Sequence, residues 1–344
     1  MATASIGSGG GRDHATPQDW VDSIAGAFTE IEVGECYADT EFTTGFNLSG
    51  STGISATVYW RCKAAAGHEY DIRTDTGAHF TLSGTTGGLG AGDDYSRIEY
   101  LGYESTFTGT GYGFPNVASI SGASNLKFIG CTAVDYTSKS TVAQAAMYYG
   151  SFGNDCEFYS CIAIGGGSLG TNSGQRIGFN DSGTSTDHKF YNCLAYDVDS
   201  GTLATSYGFY IDENPTINNC ASYLSGNADY SSTGGTQNYN VASDTTANGA
   251  NSIDSSVVAD NFIDAANWDF RVLDTGADIY NAGTSSPGSV DVAYDPANDH
   301  GTDDATWEIG AYDFASTPVP ADTVHPTYAR RYEHSAAPNP SLRM

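Results

Sequence analysis

Four segments of this 344-residue chain repeat one another: FIGCTAV (128–134), FYSCIAI (158–164), FYNCLAY (190–196) and INNCASY (217–223). Their cysteines, Cys131, Cys161, Cys193 and Cys220, lie 30, 32 and 27 residues apart, and IEYLGY (98–103) places Leu101 30 residues before Cys131. A second row keeps step with the first: YGF (112–114), MYY (147–149), IGF (177–179) and YGF (207–209). Each unit therefore carries at least two short strands, separated by Gly, Asn, Asp and Ser turns. One such unit cannot bury an apolar face alone and must stack on its neighbours. Stacking at about 4.8 Å per coil builds continuous parallel sheets, and about eight coils make a rod of roughly 40 Å. The expected fold is all-β, a single-stranded right-handed parallel β-helix.

Within the strands alternate positions point inward, so Phe128, Phe158 and Phe190 should stack near the cysteine column. The cysteines read as small core fillers. Disulfides along the column are disfavoured, because parallel Cβ atoms about 4.8 Å apart miss the roughly 3.8 Å that a bridge prefers. No CxxC pair or suitably spaced His accompanies them, so no metal is expected there.

Both ends differ from the middle. TPQDWVDSIAGAF (16–28) reads as a helix with Thr16 as N-cap, Pro17 in the first turn, Asp19 completing a capping box, and Trp20 and Ile24 on one face. It should plug the first coil. The expected divisions are an N-terminal strand and capping helix (1–45), the coils (46–265), a C-terminal β-helix end (266–315) and an extended Pro-rich arm (316–344).

The formal charge of −28 argues against nucleic acid as a partner unless a local basic patch exists, and none is evident along the chain. The same acidity suits a saline, halophilic setting, where self-repulsion is screened. No run of 18 apolar residues occurs, so no membrane span is expected, and MATASIGSGGGRD lacks the basic and apolar regions of a secretion signal.

IGSGGGRDHATPQDWVDSI resembles the start of pectate-lyase-like right-handed β-helix proteins, where a Gly-rich strand leads into a capping helix. DFRVLDTGADIYNAG followed by WEIGAYDF (307–314) is similar to the closing motif of bacterial and viral β-helix repeat proteins, with Asp313 where Glu is common. The resemblance implies the architecture. Its members include lyases, hydrolases, adhesins and phage tail spikes, so it does not choose an activity.

A polysaccharide lyase or glycoside hydrolase would need carboxylates converging from adjacent coils. Asp155, Asp181 and Asp212 follow the second strand row and are the candidates, although Asp at such positions more often shapes turns. A lyase also needs a base. The repeats offer Lys127, Lys139, Arg176 and Lys189, with no evident Arg or Lys cluster to hold a uronate. Tyrosine faces suit sugar rings, and Tyr149, Tyr207 and Tyr210, with Tyr148, Tyr223 and Tyr230, are the glycan-binding candidates. His188, His300, His325 and His334 read as surface residues. No cofactor is expected beyond a structural Ca²⁺, for which the Asp-rich segment 295–308 is the candidate.

An extracellular style of architecture without a secretion signal fits a virion component released by lysis. The expectation is a structural protein of the virus surface, a tail spike, turret or head decoration, presenting a rigid rod and binding host glycans. Its Pro-rich arm, with Tyr328, Arg330, Arg331 and Tyr332, would contact other virion proteins or a second copy in a homo-oligomer, by analogy a trimer. The alternatives are a polysaccharide lyase or hydrolase and a cell-surface adhesin.

Overall fold

In the computed structural model the segments that repeat in sequence stack as rungs of three parallel sheets. The structure describes residues 2–39, 41–82, 88–105, 117–120, 123–135, 144–150, 153–165, 176–181, 187–198, 206–211, 214–232, 234–284 and 308–311. Sheet I has nine strands, from Ala2–Ile6 through Glu32–Cys36, Trp60–Ala64, Arg97–Glu99, Lys127–Ile129, Glu157–Tyr159, Lys189–Tyr191 and Thr216–Asn218 to Thr236–Asn238. Sheet II has seven, running from His79–Leu82 to Val241–Ala242, and sheet III has seven, running from Phe46–Leu48 to Ala228–Ser232. Through the middle of the chain each coil gives one strand to sheet I, then II, then III. This is the connectivity of a parallel β-solenoid.

Three strands per coil are more than the sequence rows suggest. FIGCTAV spans a corner: Lys127–Ile129 belongs to sheet I and Thr132–Asp135 to sheet II. At that corner Tyr100, Gly130, Ser160, Asn192 and Asn219 all have positive φ, between 48° and 59°. A second left-handed column, Tyr95, Asn125, Asp155, Asp187 and Asn214, precedes sheet I. Asn, Asp and Gly recur at these positions because they tolerate the left-handed region best.

The corner sets the cysteines pointing into the core. All seven Cys are buried thiols outside any disulfide. Cys161 Sγ lies 3.5 Å from the Phe128 carbonyl oxygen of the preceding coil and 3.4 Å from that of Tyr159, and Cys131, Cys193 and Cys220 repeat the arrangement. Beside them runs an aromatic ladder from sheet I. Phe128, Phe158 and Phe190 stack at 4.9 Å with their rings within 12° of parallel. From sheet III, Phe179, Phe209 and Tyr230 form a second stack at 4.7 and 5.0 Å, meeting the first edge-on. Offset and edge contacts of this kind add to the area that the rings bury.

The second sequence row is only partly in register. Ile177 pairs with Tyr207 and Phe179 with Phe209, but Met147 pairs with Phe179, two residues off, and its upstream partner is Val117. Residues 112–114 lie outside the described residues.

The helix Pro17–Ile24 carries the expected capping box between Thr16 and Asp19. Trp20 and Val21 are buried, and the Trp20 ring meets Trp60 edge-on at 5.2 Å. Gly34 makes room for this: a Cβ there would lie 2.7 Å from the Trp20 ring and 2.8 Å from Ile6 Cδ1. The stack already includes Ala2–Ile6, paired in register with Glu32–Cys36.

At the other end an antiparallel pair, Phe262–Asp264 with Asp269–Val272, covers the outer face of sheet II. Phe270 packs on Tyr196 at 4.9 Å and Phe262 on Tyr223 at 5.3 Å. Residues 308–311 join them: the Gly310 amide donates to the Asn219 carbonyl, and the Asn219 side chain exchanges two hydrogen bonds with the Thr284 backbone. The segment 312–344, with Tyr328, Arg330, Arg331 and Tyr332, lies outside the described residues, as does most of 295–308.

Candidate functional site

With sheet II covered from outside, the outer face of sheet I is where polar chemistry collects. The residue preceding each inward aromatic or aliphatic side chain points outward, and the register aligns Arg61, Arg97, Lys127, Glu157 and Lys189 in one column. One residue pair farther along each strand, Glu35, Lys63 and Glu99 form the next. Five of the 13 Lys and Arg residues of a chain of charge −28 thus share one sheet face. Glu35, Glu99 and Glu157 alternate with them, so the face is mixed in charge. The cations are scattered in sequence, and only the 27-to-36-residue coil register brings them together.

Most of these cations are neutralised in place. Arg61 donates twice to Glu99, at 2.9 and 2.7 Å, and Lys63 pairs with Glu35 at 2.9 Å. Lys127 and Lys189, from different coils, converge on Glu157 at 2.7 and 3.0 Å. Burial opposes the charge of Glu157, but hydrogen bonds from Lys127, the Tyr159 hydroxyl and Lys189 outweigh it and hold the carboxyl below the usual range. Arg97 differs. Its guanidinium lies over the Tyr59 ring, 4.5 Å from the centroid, and among the described residues no carboxylate pairs with it.

Beside Arg97 the face is hollowed into a groove of about 230 Å³, lined by Ala56, Tyr59, Tyr95, Arg97, Asn125, Lys127, Asp155 and Glu157. Tyr95, Asn125 and Asp155 are the left-handed corner residues of three successive coils, so the turn that ends one sheet also presents the groove wall. A cation over an aromatic ring, an amide and two carboxylates can bind a polar ring and an anionic substituent. No group of metal-ligating side chains occurs among the described residues.

No family model matches the chain, and no curated protein or solved structure matches it either.

The residues singled out from sequence are distributed as follows. Asp155 is exposed in the groove. Asp181 ends the strand Arg176–Asp181 of sheet III and pairs with Gly150 and Ile211, a different position of the coil. Asp212 lies outside the described residues. The structure therefore does not bring Asp155 and Asp181 into one column, because Asp155 is a corner residue, equivalent to Asp187 of the next coil, whereas Asp181 is a strand end. Tyr207 and Tyr210 are half-exposed neighbours, 5.0 Å apart on the outer face of sheet III, and Tyr149 shares the Tyr210 register through Asn180. Tyr223 and Tyr230 belong to the buried set: Tyr230 stacks on Phe209 and its hydroxyl donates to the Cys220 carbonyl at 2.7 Å.

His188 is also buried, 1% exposed, which corrects the surface assignment. Its Nδ1 accepts the Cys156 amide at 3.2 Å, so the polar run TDHKF hides a histidine that serves the backbone. His300, His325 and His334 lie outside the described residues. Sequence reading missed Tyr59, Tyr95, Arg97 and Asn125. The signal for Arg97 was present, since RIE (97–99) aligns with KFI (127–129), EFY (157–159) and KFY (189–191).

Proposed function

We propose that this protein is a recognition rod on the surface of a virus particle, a tail spike, turret or head decoration, and that the sheet I groove binds a host glycan. The observation carrying this is the groove itself: Tyr95 offers an aromatic face, Tyr59 lies beneath Arg97, and Arg97, Asn125, Lys127 and Asp155 offer polar atoms, on a wall of stacked strands. Such a wall is pre-organised, so little ordering cost falls on binding. Right-handed winding follows from the general handedness of parallel crossovers, and the N-terminal helix serves as the end cap. Residues 316–344 serve as the arm that ties copies to the particle or to one another as a homotrimer.

Binding is favoured over cleavage by the state of Glu157. A glycosidase needs one carboxyl that stays protonated to act as general acid. Glu157 has two lysines and a tyrosine hydroxyl holding it ionised. The test is to incubate the full chain with a glycan array and, in parallel, with polysaccharides assayed for new reducing or unsaturated ends. Retention on the array without new ends is expected. New ends would redirect the reading to a lyase or hydrolase. Cryo-electron microscopy of particles from the native host, with density for the rod outside the capsid or tail, tests the location.

A further inference from the structure

We infer that the groove is selective for a saccharide carrying a single terminal acidic sugar, whose carboxylate is bound by Arg97; this rests on the glycan-binding reading above. Arg97 is held between two like-charged neighbours in its column, Arg61 and Lys127, and these two have carboxylate partners of their own, Glu99 and Glu157. No described residue pairs a carboxylate with Arg97. The Tyr59 ring lies under the guanidinium, 4.5 Å from its centre, and a guanidinium so placed can form two parallel bonds to a carboxylate.

The rest of the groove limits what can carry that carboxylate. At about 230 Å³ it is smaller than the roughly 300–1,000 Å³ of sites that enclose drug-sized ligands, so one ring fits and a chain must leave it. Tyr95 offers that ring a half-exposed aromatic face. Asp155, also in the groove lining, is suited to accept sugar hydroxyls and repels a second negative charge. Charge bookkeeping agrees. Along the lining Arg97 and Lys127 balance Asp155 and Glu157, so the groove holds no excess of positive charge for a ligand with many carboxylates. Around the groove the molecule carries −28, a field that disfavours polymers with a charge on every residue. The ligand class is therefore an otherwise neutral oligosaccharide ending in a sialate or a uronate, and not a polyuronate.

The experiment is an array of glycans ending in sialate or glucuronate, each beside its counterpart lacking the acidic sugar, together with oligogalacturonates. Affinities of the full chain are then measured by calorimetry in 0.15 M salt, an ionic strength of roughly physiological value. Acid-terminated glycans should bind at least about tenfold tighter than their neutral counterparts, the ratio that one charge-assisted bidentate contact supports. Arg97→Gln should reduce that ratio to about one, while Arg97→Lys keeps part of it. Thermal melting of both variants should match the parent, since Arg97 makes no ion pair that the fold uses, and the Lys variant keeps the comparison valid if Gln lowers stability. Equal affinity for acidic and neutral glycans, a preference unchanged in Arg97→Gln, or tighter binding of oligogalacturonates would overturn the inference and leave glycan recognition standing. Absence of binding to any glycan would overturn both.

Discussion

His188 should make the fold acid-sensitive as pH falls from about 6.5 towards 4. Burial pushes its imidazole down from 6.5 to about 4, only partly opposed by its bond to the Cys156 backbone and by nearby Asp187. Protonation would place a hydrogen on Nδ1, the atom that accepts the Cys156 amide, and break the link between two coils. The sign follows from proton counting. Below pH 6.5 the unfolded chain binds a proton at this position and the folded chain does not, so acid favours unfolding. The stability conferred by neutral His188 is complete above about pH 6.5 and lost as pH falls towards 4. Its size is about 3 kcal/mol, from roughly 1.4 kcal/mol per pH unit across that gap. The assay is urea unfolding of the parent and of His188→Asn, whose side-chain oxygen can accept the same amide, at pH 7, 6, 5 and 4.5. Buried Asp229, whose carboxyl burial pushes up, and the paired carboxylates contribute equally to both proteins, so the difference between the two curves isolates the imidazole. Parent stability should fall relative to the variant by about 2 kcal/mol between pH 6.5 and 5. Parallel curves would refute the buried, neutral assignment.

Other parts of the fold give sharper single outcomes. Phe158→Ala removes the central ring of the Phe128–Phe158–Phe190 stack and should cost about 3–5 kcal/mol in chemical unfolding, with a cavity between two intact coils. Gly34→Ala drives a methyl against Trp20 and Ile6 and should lower stability by about 1–3 kcal/mol, with a shift in tryptophan emission as the Trp20–Trp60 contact loosens. All seven thiols should stay silent to a thiol reagent at pH 8 until denaturant is added, because burial raises the Cys62, Cys131, Cys161 and Cys193 thiols well above their ordinary range. If the acidity reflects salt adaptation, circular dichroism should show loss of the fold as NaCl drops from molar to about 0.1 M; an unchanged spectrum removes that idea.

The stacking was legible because the Phe-x-x-Cys motif is a backbone signal as much as a packing one. It marks a left-handed corner residue followed by an inward Cys, and that combination recurs only where coils align. Sheet II was harder to see, because CTAV and CIAI run on from the sheet I strand without a polar break. The corner also resets the inward–outward alternation, so counting by twos from Phe158 misplaces Ile162 and Ile164, which face outward once the chain turns. The outward column of Arg97, Lys127, Glu157 and Lys189 is spaced 30 to 32 residues apart and reads as isolated charges until the strands are aligned. Asp155 and Asp181 look equivalent when counted from the strand before them, yet one is a corner and the other a strand end. His188 misleads by its neighbours: Asp187 and Lys189 are surface residues on either side of an inward position.

The way the two outer faces differ bears on function. Sheet II presents Val134, Ile162, Leu194 and Tyr196, an apolar face that the chain itself covers with Phe262, Phe270 and Ile309. Sheet I presents a column that is almost entirely charged and bears a groove, and among the described residues no segment of the chain crosses that groove. A structural rod needs only inward complementarity, and ion pairs at a half-exposed surface add at most about 1 kcal/mol each. Stability alone therefore gives little reason to gather basic residues scarce in the chain onto one face, and still less to leave Arg97 over Tyr59 with no carboxylate partner among the described residues. Double-mutant cycles separate the two roles. Arg61 with Glu99 should show a coupling energy in unfolding, and Arg97 should show none with Glu99 or Glu157 while controlling ligand affinity. A measurable stabilising coupling of Arg97 to either carboxylate would return it to the scaffold.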